Sequence, residues 1–339
     1  MKLLWIATSV EGVLTSRPAL RLPSLTDLEA ARERLAGLAV RTPLIRLPSH
    51  ASPVTSHELF LKLENLQPIG SFKIRGAGNA MRRLPAEMLN EGVCTASAGN
   101  MAQGVAWCAR ELGVPCRVIV PDRAPDAKVE AVKTLGADVI RVAFADWWKV
   151  METHDTRGVP GAFIHPVENN DVMAGNGTIA LEVVEDLPDV DTVIVPFGGG
   201  GLISGIGAGL MQLRPSCRVI AAEVGTAAPL RASLDANEPR AINRIPTFVD
   251  GIGGASVLPA MWPLVRQVVR DSVVVTLEDI AAAIRTLVRQ ARIVTEGAGA
   301  ASLAAATTGR AGGQRIVCVV SGGNIDPAVL STILNGALP

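Results

Sequence analysis

Runs of valine and isoleucine alternate with helical patterns through most of this chain of 339 residues. Continuous apolar runs occupy residues 116–120, 192–197, 218–223 and 315–320. Such runs are typical of strands in a parallel sheet, where helices cover both faces. The alternation therefore predicts an α/β fold, and the chain length favours about two domains.

Balanced charge narrows the range of partners. The chain has 32 basic and 32 acidic side chains, so we expect no nucleic-acid or anionic-membrane partner. No apolar run is long enough to span a membrane. Five scattered cysteines without a Cys-x-x-Cys pair predict a reduced, cytoplasmic protein. The four histidines lack zinc-ligand spacing, so they predict no metal site.

Lys73 lies in the hexapeptide Ser71-Phe72-Lys73-Ile74-Arg75-Gly76. A lysine bonds covalently to an aldehyde only when its ammonium group loses a proton, and a partly dry pocket promotes that loss. The neighbouring Phe72 suits packing against a flat cofactor ring. Taken alone, such a lysine is more often a solvated surface residue. The Lys73 motif becomes informative only together with three glycine-containing loops elsewhere in the chain.

Four consecutive glycines separate a predicted strand that ends at Phe197 from a helix that opens at Leu202. Their backbone N–H groups are free to converge on an anion, and the helix N-terminus adds partial positive charge. The pattern predicts a phosphate-binding loop. Its residues are Gly198, Gly199, Gly200 and Gly201.

A tight turn and a nicotinamide dinucleotide site are the competing interpretations of the four glycines. A turn seldom needs four glycines. The dinucleotide fingerprint fails by one place, because Ser204 stands where its last glycine is required. Glu223 nevertheless ends the next strand about where a ribose-binding acid would lie. A Walker A loop is excluded, since no Gly-Lys-Ser/Thr follows the glycines.

Two further loops follow predicted strands. The first, Ser97-Ala98-Gly99-Asn100-Met101-Ala102-Gln103-Gly104, leads into a helix, so its N–H groups suit a substrate carboxylate. The second, Ser321-Gly322-Gly323-Asn324, follows the run at 315–320 and places a serine at the usual ligand crevice of an α/β sheet. Each loop alone is consistent with an ordinary helix cap or turn.

Together these motifs resemble the serine/threonine dehydratase family of fold-type II pyridoxal-phosphate enzymes, which also includes serine racemase. The resemblance runs from about residue 24 to 330. Two more segments share it, at 174–178 and 296–300. It implies two open, twisted, mostly parallel α/β domains of the tryptophan synthase β type, with a cleft between them. It also implies pyridoxal 5'-phosphate as cofactor.

The resemblance assigns the candidate site residues. Lys73 would bond to the cofactor and later act as the base, and Phe72 would pack on its ring. Asn100 would contact the ring hydroxyl, and Ser321 the ring nitrogen. Gly198, Gly199, Gly200 and Gly201 would hold the phosphate. The substrate would be bound by Ser97, Ala98, Gly99, Asn100 and Met101.

The same resemblance implies the domain organisation. We expect an N-terminal arm at 1–22, a large cofactor-binding domain at 23–88 and 172–339, and a small domain at 89–171. No regulatory domain is expected, which favours a catabolic role without isoleucine feedback. Relatives are commonly homodimers, so a homodimer is expected.

Two positions depart from the family in the substrate loop. Ala98 replaces a serine that acts as the second acid/base in serine racemase, so poor racemisation is expected. Met101 replaces the usual histidine. Neutral drift in the first turn of a helix is one interpretation of Met101. The other is a roomier pocket for a bulkier substrate, because methionine is flexible and apolar.

A third departure concerns a divalent cation that some relatives bind beside the phosphate loop. Glu223 and Ala227 match two of its ligands, but Pro229 stands where an aspartate would be. The loss of a hard oxygen ligand weakens such a site. No metal is therefore predicted, with Glu223 and Ala227 as weak candidates only.

The resemblance implies a lyase that converts a β-hydroxy amino acid of the L-threonine or L-serine type to a 2-oxo acid and ammonia. The same chemistry on 3-phenylserine or 3-hydroxyaspartate is the first alternative. A β-replacement enzyme is a second, although such relatives usually carry threonine after the asparagine at 100. A non-catalytic cofactor-binding protein is a third, although Lys73 is retained.

Overall fold

The computed structural model describes residues 18–48 and 57–339. Most of the arm predicted at 1–22 therefore lies outside the described residues. Residues 18–22 of that arm lie on the body of the protein, where the Arg21 amide donates to Asn170 Oδ1 at 3.0 Å. None of the helices in the described part of the chain combines the length and apolar character of a bilayer span.

The larger sheet has six strands in the order β1-β2-β10-β7-β8-β9. Only β1 and β2 pair antiparallel, and the other neighbours are parallel. The last strand of the chain, β10, lies between β2 and β7 near the middle of the sheet. The strands are β1 (Leu44–Arg46), β2 (Glu58–Lys62), β7 (Thr192–Pro196), β8 (Arg218–Val224), β9 (Asp271–Val275) and β10 (Arg315–Val319).

The smaller sheet has four strands in the order β5-β4-β3-β6, all parallel. This sheet lies within the predicted small-domain segment, and the larger sheet lies outside it. The division of the chain into an arm and two domains stays a prediction. The strands are β3 (Val93–Ala96), β4 (Cys116–Pro121), β5 (Asp138–Val142) and β6 (Ala162–Phe163).

Helices cover the faces of both sheets. A 3-10 turn at Glu64–Leu66 and a π-helical turn at Leu287–Ala291 complete the regular structure. The α-helices are α1 (Leu25–Leu35), α2 (Lys73–Arg82), α3 (Ala86–Asn90), α4 (Asn100–Leu112), α5 (Asp126–Thr134), α6 (Phe144–Thr153), α7 (Asn170–Asp186), α8 (Gly201–Leu213), α9 (Pro229–Ala236), α10 (Trp262–Val268), α11 (Leu277–Thr286), α12 (Gly297–Thr307) and α13 (Pro327–Leu334).

The core of the larger sheet is two-sided, as the valine and isoleucine runs predict. Along β8, Ile220 and Ala222 belong to one buried cluster, whereas Val219 and Ala221 belong to the cluster on the other face. Alternate side chains of a strand point to opposite faces, so both faces of β8 are buried. The two clusters confirm the α/β prediction.

The cap of the first helix lies two residues before the predicted cap. The sequence pattern at 26–29 predicts a capping box that starts at Thr26. In the structure the box is formed by Ser24 and Asp27, with the Ser24 hydroxyl accepting from the Asp27 amide. Both serine and threonine cap helices well, so the local sequence allows either start.

Glycines allow three helices to pack closely behind the site. A Cβ on Gly175 of α7 would lie 2.2 Å from the carbonyl oxygen of Arg75 in α2. A Cβ on Gly205 of α8 would lie 2.3 Å from the carbonyl oxygen of Met173 in α7. Side chains at these positions would push the helices apart, so glycine fixes the position of α2.

A buried ionic network anchors α2. Arg75 donates to both carboxylate oxygens of Glu64, each at 2.8 Å, and to both oxygens of Glu182, at 2.6 and 2.9 Å. Lys62 Nζ also reaches Glu182, at 2.5 Å. All four side chains are buried. The two cations and two anions balance, so no charge is left without a partner in this network.

Candidate active site

The lysine loop pairs with the loop that follows β10. The Phe72 amide donates to the Ser321 carbonyl oxygen at 3.1 Å, and the Gly323 amide donates to the Gly70 carbonyl oxygen at 2.8 Å. Ser71 and Gly322 form an isolated antiparallel bridge between these bonds. The structure thus brings together two of the motifs that the sequence places far apart.

Lys73 is the first residue of α2, and its side chain is only partly exposed. Its Nζ lies 5.0 Å from the centre of the Phe72 ring. Burial lowers the pKa of Lys73 to about 8, although the charge of Glu296 opposes the shift. About a tenth of the amine is therefore uncharged at pH 7 and about half at pH 8, which supplies the neutral form that a nucleophile or base requires.

Three of the four glycines in the loop, Gly198, Gly199 and Gly200, leave little room for a side chain. A Cβ on Gly199 would lie 2.4 Å from Val167 Cγ2, and a Cβ on Gly198 would lie 3.2 Å from the Gly251 carbonyl oxygen. Gly200 has a φ of 97°, which favours glycine, and Gly201 begins α8. The backbone amides at the start of α8 suit an anionic group, so the loop fits a phosphate.

The substrate loop ends at the N-terminus of α4, which no side chain caps. The Ser97 hydroxyl accepts from the Gly99 amide at 3.2 Å. A Cβ on Gly99 would meet nothing within 4 Å, so this turn borders open space. A Cβ on Gly104 would lie 3.2 Å from the Lys73 backbone, which shows that α4 crosses α2 beside the lysine. The free first-turn amides of α4 suit a carboxylate.

Met101 is buried, with 2% of its surface exposed, and belongs to the core cluster that also contains Ile74 and Val105. Ala98 is partly buried and packs against the same cluster. The Met101 side chain therefore fills the core between α2 and α4. This placement favours the interpretation of Met101 as a packing substitution and weakens that of an enlarged substrate pocket.

Ser321 follows β10 and is 4% exposed. Its carbonyl oxygen is held by Phe72, while its hydroxyl has no hydrogen-bond partner within the described ranges. A nearly buried hydroxyl without a protein partner suits a ligand atom that it can bond. The position fits the ring-nitrogen contact that the sequence predicts for Ser321.

Asn100 is joined to two residues from the far end of the chain. Its Nδ2 donates to Glu296 Oε1 at 2.8 Å, and its Oδ1 accepts from Asn324 Nδ2 at 2.8 Å. Sequence reasoning placed Asn100 and Asn324 in motifs but gave Glu296 no role. The only signal for Glu296 was its place in the segment at 296–300 that shares the family resemblance.

The carboxylate of the weak cation candidate Glu223 already has protein partners. Glu223 Oε1 accepts from the Leu230 amide at 2.7 Å, and Oε2 accepts from the Arg231 amide at 2.7 Å and the Ser272 hydroxyl at 2.5 Å. Glu223 thus caps α9. Because three protein donors already bond this carboxylate and Ala227 offers only its carbonyl, a cation would have to compete with the α9 cap for Glu223. A ribose hydroxyl would meet the same competition.

Among the described residues, one group of three side chains has metal-ligand proximity: His154, His165 and Glu168. His165 Nδ1 accepts from the amides of Val167 and Glu168, at 3.1 and 2.6 Å. Its Nε2 lies 3.2 Å from the Met151 carbonyl oxygen. Both ring nitrogens therefore have backbone partners, and His165 has no lone pair left for a metal.

Comparisons with known proteins agree with this geometry. The sequence profile of the family described as "Pyridoxal-phosphate dependent enzyme" matches residues 35–322. L-threonine ammonia-lyase of Thermotoga maritima is 39% identical over 93% of this chain and 79% of its own length. L-threonine dehydratase catabolic TdcB of Staphylococcus aureus is 37% identical over 93% of both chains. Maize serine racemase superposes with a TM-score of 0.83 at 32% identity, covering 93% of this chain and 98% of its own.

Proposed function

We propose that this chain, which belongs to the pyridoxal-phosphate dependent enzyme family, is a lyase that converts L-threonine, and related β-hydroxy amino acids, to a 2-oxo acid and ammonia. One observation carries the proposal. Lys73, with a pKa of about 8, lies where the Ser321 loop and the first turns of α4 meet. The names of the relatives at 37–40% identity support threonine as the substrate.

The residues present fit pyridoxal phosphate. The amides of the four-glycine loop would hold its phosphate, Ser321 would bond its ring nitrogen, Phe72 would pack against its ring, and Lys73 would bond its aldehyde carbon. When bound, the cofactor supplies an electron sink that stabilises negative charge at the substrate Cα. These assignments are a proposal that rests on the loop geometry and on the unpartnered Ser321 hydroxyl.

Lys73 would remove the Cα proton. A general base is most effective when its pKa lies near the working pH, and burial brings the pKa of Lys73 to about 8. The charge of Glu296 then favours the ammonium form of the protonated amine. Lys73 can therefore accept a proton at Cα and release it later to the departing hydroxyl group.

The start of α4 would bind the substrate carboxylate. The loop before it would supply no second acid/base, because position 98 is alanine. The uncapped amides of α4 face the open space beside Gly99, close to where α4 crosses Lys73. Ala98 in this loop carries no group that can transfer a proton. A single base on one face of Cα favours elimination over racemisation, so D-serine formation from L-serine is expected to be slow.

A bulkier substrate is a weaker second proposal. Burial of Met101 removes the argument for an enlarged pocket at that position. Activity on 3-phenylserine would therefore need another cause, and 3-hydroxyaspartate stays an alternative that only assays distinguish.

We also propose a cytoplasmic homodimer, supported by the five free cysteines and by the family resemblance. Light scattering on the purified protein tests the dimer.

The experiment for the proposed function is 2-oxo acid release by the cofactor-loaded protein. The panel is L-threonine, L-serine, 3-hydroxyaspartate and 3-phenylserine, with Lys73→Ala as the control. Lysine-dependent product that is fastest from L-threonine supports the proposal. No product from any of the four would overturn it and favour β-replacement or a non-catalytic role.

A further inference from the structure

Glu296 is a buried carboxylate at the edge of the candidate site. It immediately precedes α12 in extended backbone conformation, and its amide donates to the Gly322 carbonyl oxygen at 3.1 Å. Only 9% of its surface is exposed. A Cβ on Gly322 would lie 2.5 Å from Glu296 Oε1. The carboxylate is thus held directly against the loop that carries Ser321.

A chain of amides orients Glu296 toward the substrate loop. Asn324 Nδ2 donates to the Ile69 carbonyl oxygen at 2.9 Å and to Asn100 Oδ1 at 2.8 Å. Because the Asn100 oxygen is used as an acceptor, its Nδ2 group faces Glu296 and donates to it at 2.8 Å. The chain therefore links the lysine loop, α4 and the start of α12 through defined donors and acceptors.

The charges of Asp250, Lys128 and Lys73 act on Glu296, and these three groups differ in their own ion-pair partners. Lys128 of α5 and Asp250 form an ion pair with each other, and both are exposed. Lys73 makes no ion pair or hydrogen bond through its Nζ within the described part of the chain. The neutral ring of His165, whose pKa burial lowers to about 3, is the other titratable group that faces Lys73. Glu296 is therefore the carboxylate available to Lys73.

Burial raises the pKa of Glu296 to about 7, and the charge of Asp250 adds to the shift, whereas the hydrogen bond from Asn100 opposes it. Glu296 is consequently protonated below neutral pH and charged above it. A charge that appears over this range favours the cationic form of a neighbouring amine.

We propose that Glu296 is a positioning residue of the reaction, which holds Asn100 through a hydrogen bond and sets the protonation of the Lys73 nitrogen through its charge. This inference rests on the proposed function, because it concerns the same lysine. Glu296 acts through Lys73 and Asn100 and takes no part in bond making or breaking.

The test is a pH titration of the visible absorbance of the cofactor-loaded protein, with kcat against pH as the second readout. Glu296→Gln removes the negative charge but keeps the shape. The midpoint of the Lys73 nitrogen is then expected to move to lower pH by about half a unit or more. Glu296→Asp restores the charge and is expected to return the midpoint toward that of the wild type.

Two further variants keep the test decisive. Asp250→Asn removes an exposed carboxylate whose charge raises the pKa of Glu296, so Glu296 keeps its negative charge to lower pH and the midpoint is expected not to move to lower pH. Asn100→Ala removes the hydrogen bond to Glu296 and is expected to move the midpoint in the same direction as Glu296→Gln. It serves in place of Glu296→Gln if that variant does not fold.

An unchanged midpoint in Glu296→Gln or, where that variant does not fold, in Asn100→Ala would overturn the inference. So would an equal shift in Asp250→Asn, since any loss of negative charge would then suffice. The absorbance titration needs no turnover. A shift without product from any amino acid would therefore support the role of Glu296 while the proposed lyase function fails.

Discussion

Lys73 and Arg75 lie two residues apart on the same helix, and their surroundings are opposite. Arg75 is bonded to four carboxylate oxygens of Glu64 and Glu182. Burial opposes the charge of Arg75, but the two carboxylates overcome that effect and raise its pKa. Lys73 has no such partner among residues 18–48 and 57–339, and burial lowers its pKa to about 8.

The difference separates an anchor from a reactive group. A buried charge that is fully paired holds its element in place and does not titrate in the physiological range. A buried amine left without an ion pair is destabilised as a cation and becomes available for chemistry. One turn of α2 thus contains both the reactive nitrogen and the side chain that fixes the position of that nitrogen.

The largest expected effect on activity comes from removing the Lys73 amine. Lys73→Ala is expected to lower the rate of 2-oxo acid release by roughly 1,000-fold or more, because Lys73 is the proposed base at Cα. The thermal midpoint of the cofactor-free protein is expected not to fall, because the change removes an unpaired buried amine. Steady-state kinetics and thermal unfolding check both parts, and retained turnover would contradict the assignment of Lys73 as base.

A change in the buried network around Arg75 is expected to lower stability rather than to act on the proposed chemistry of Lys73. Glu182→Gln leaves Lys62 and Arg75 short of negative charge in the core, so the free energy of unfolding should fall by about 3–5 kcal/mol. Glu185, one turn along α7, is 44% exposed where it pairs with Arg32. Glu185→Gln is therefore the matched control, with an expected loss of about 1 kcal/mol or less. Urea unfolding measures both, and equal losses would break the contrast.

A substitution at Gly199 tests whether the four-glycine loop binds the cofactor when a side chain is added to it. Gly199→Ala places a methyl group 2.4 Å from Val167 Cγ2, so either the four-glycine loop or the Val167 side chain must shift. The Kd for pyridoxal phosphate is expected to rise about tenfold, which corresponds to about 1.4 kcal/mol. Gly225→Ala is the control, because its Cβ would meet atoms only at 3.7 Å and beyond. Fluorescence titration distinguishes the two variants.

The pH dependence of turnover is expected to show a smaller effect, and it distinguishes Lys73, which titrates, from Arg75, which does not. Because Lys73 accepts a proton only when neutral, kcat is expected to rise several-fold as the pH passes upward through about 8. Arg75 stays charged throughout this range and adds nothing to the profile. A flat profile between pH 7 and 9 would indicate that proton removal by Lys73 does not limit the rate.

The smallest expected effect is that of metal removal. Glu223 resembles the anchor, because two backbone amides and the Ser272 hydroxyl occupy its oxygens. Treatment with EDTA, followed by addition of Mg²⁺ or Ca²⁺, is expected to leave both activity and thermal midpoint unchanged. A gain of activity with either cation would show that Glu223 leaves α9 to bind it.

Much of the fold follows from local patterns in the sequence. The long valine and isoleucine strands lie within one or two residues of their predicted bounds, because burial on both faces leaves a continuous apolar run. The two-residue strand β6 is too short to produce a pattern, and the start of α1 was misplaced because Ser24 and Thr26 are both competent caps. Element ends depend on which of several allowed contacts forms.

The site was less predictable than the fold. Glycine loops and the lysine motif suggest their chemistry through the residue types, so sequence alone predicts roles for them. The role inferred for Glu296 depends on its burial and on the Asn100 amide, which lies 196 positions away. The packing of Met101 likewise depends on which face of α4 meets α2. Both properties arise only when distant segments meet.

The placement of β10 between β2 and β7 has a consequence for synthesis of the protein. Lys73 leaves the ribosome about 250 residues before Ser321, a delay of roughly 10–50 s at ordinary elongation rates. Until the final strand is inserted, the larger sheet is split and the lysine loop lacks the backbone to which it bonds. Capture of the cofactor should thus be one of the last events in maturation, and a truncated nascent chain should remain unable to hold it.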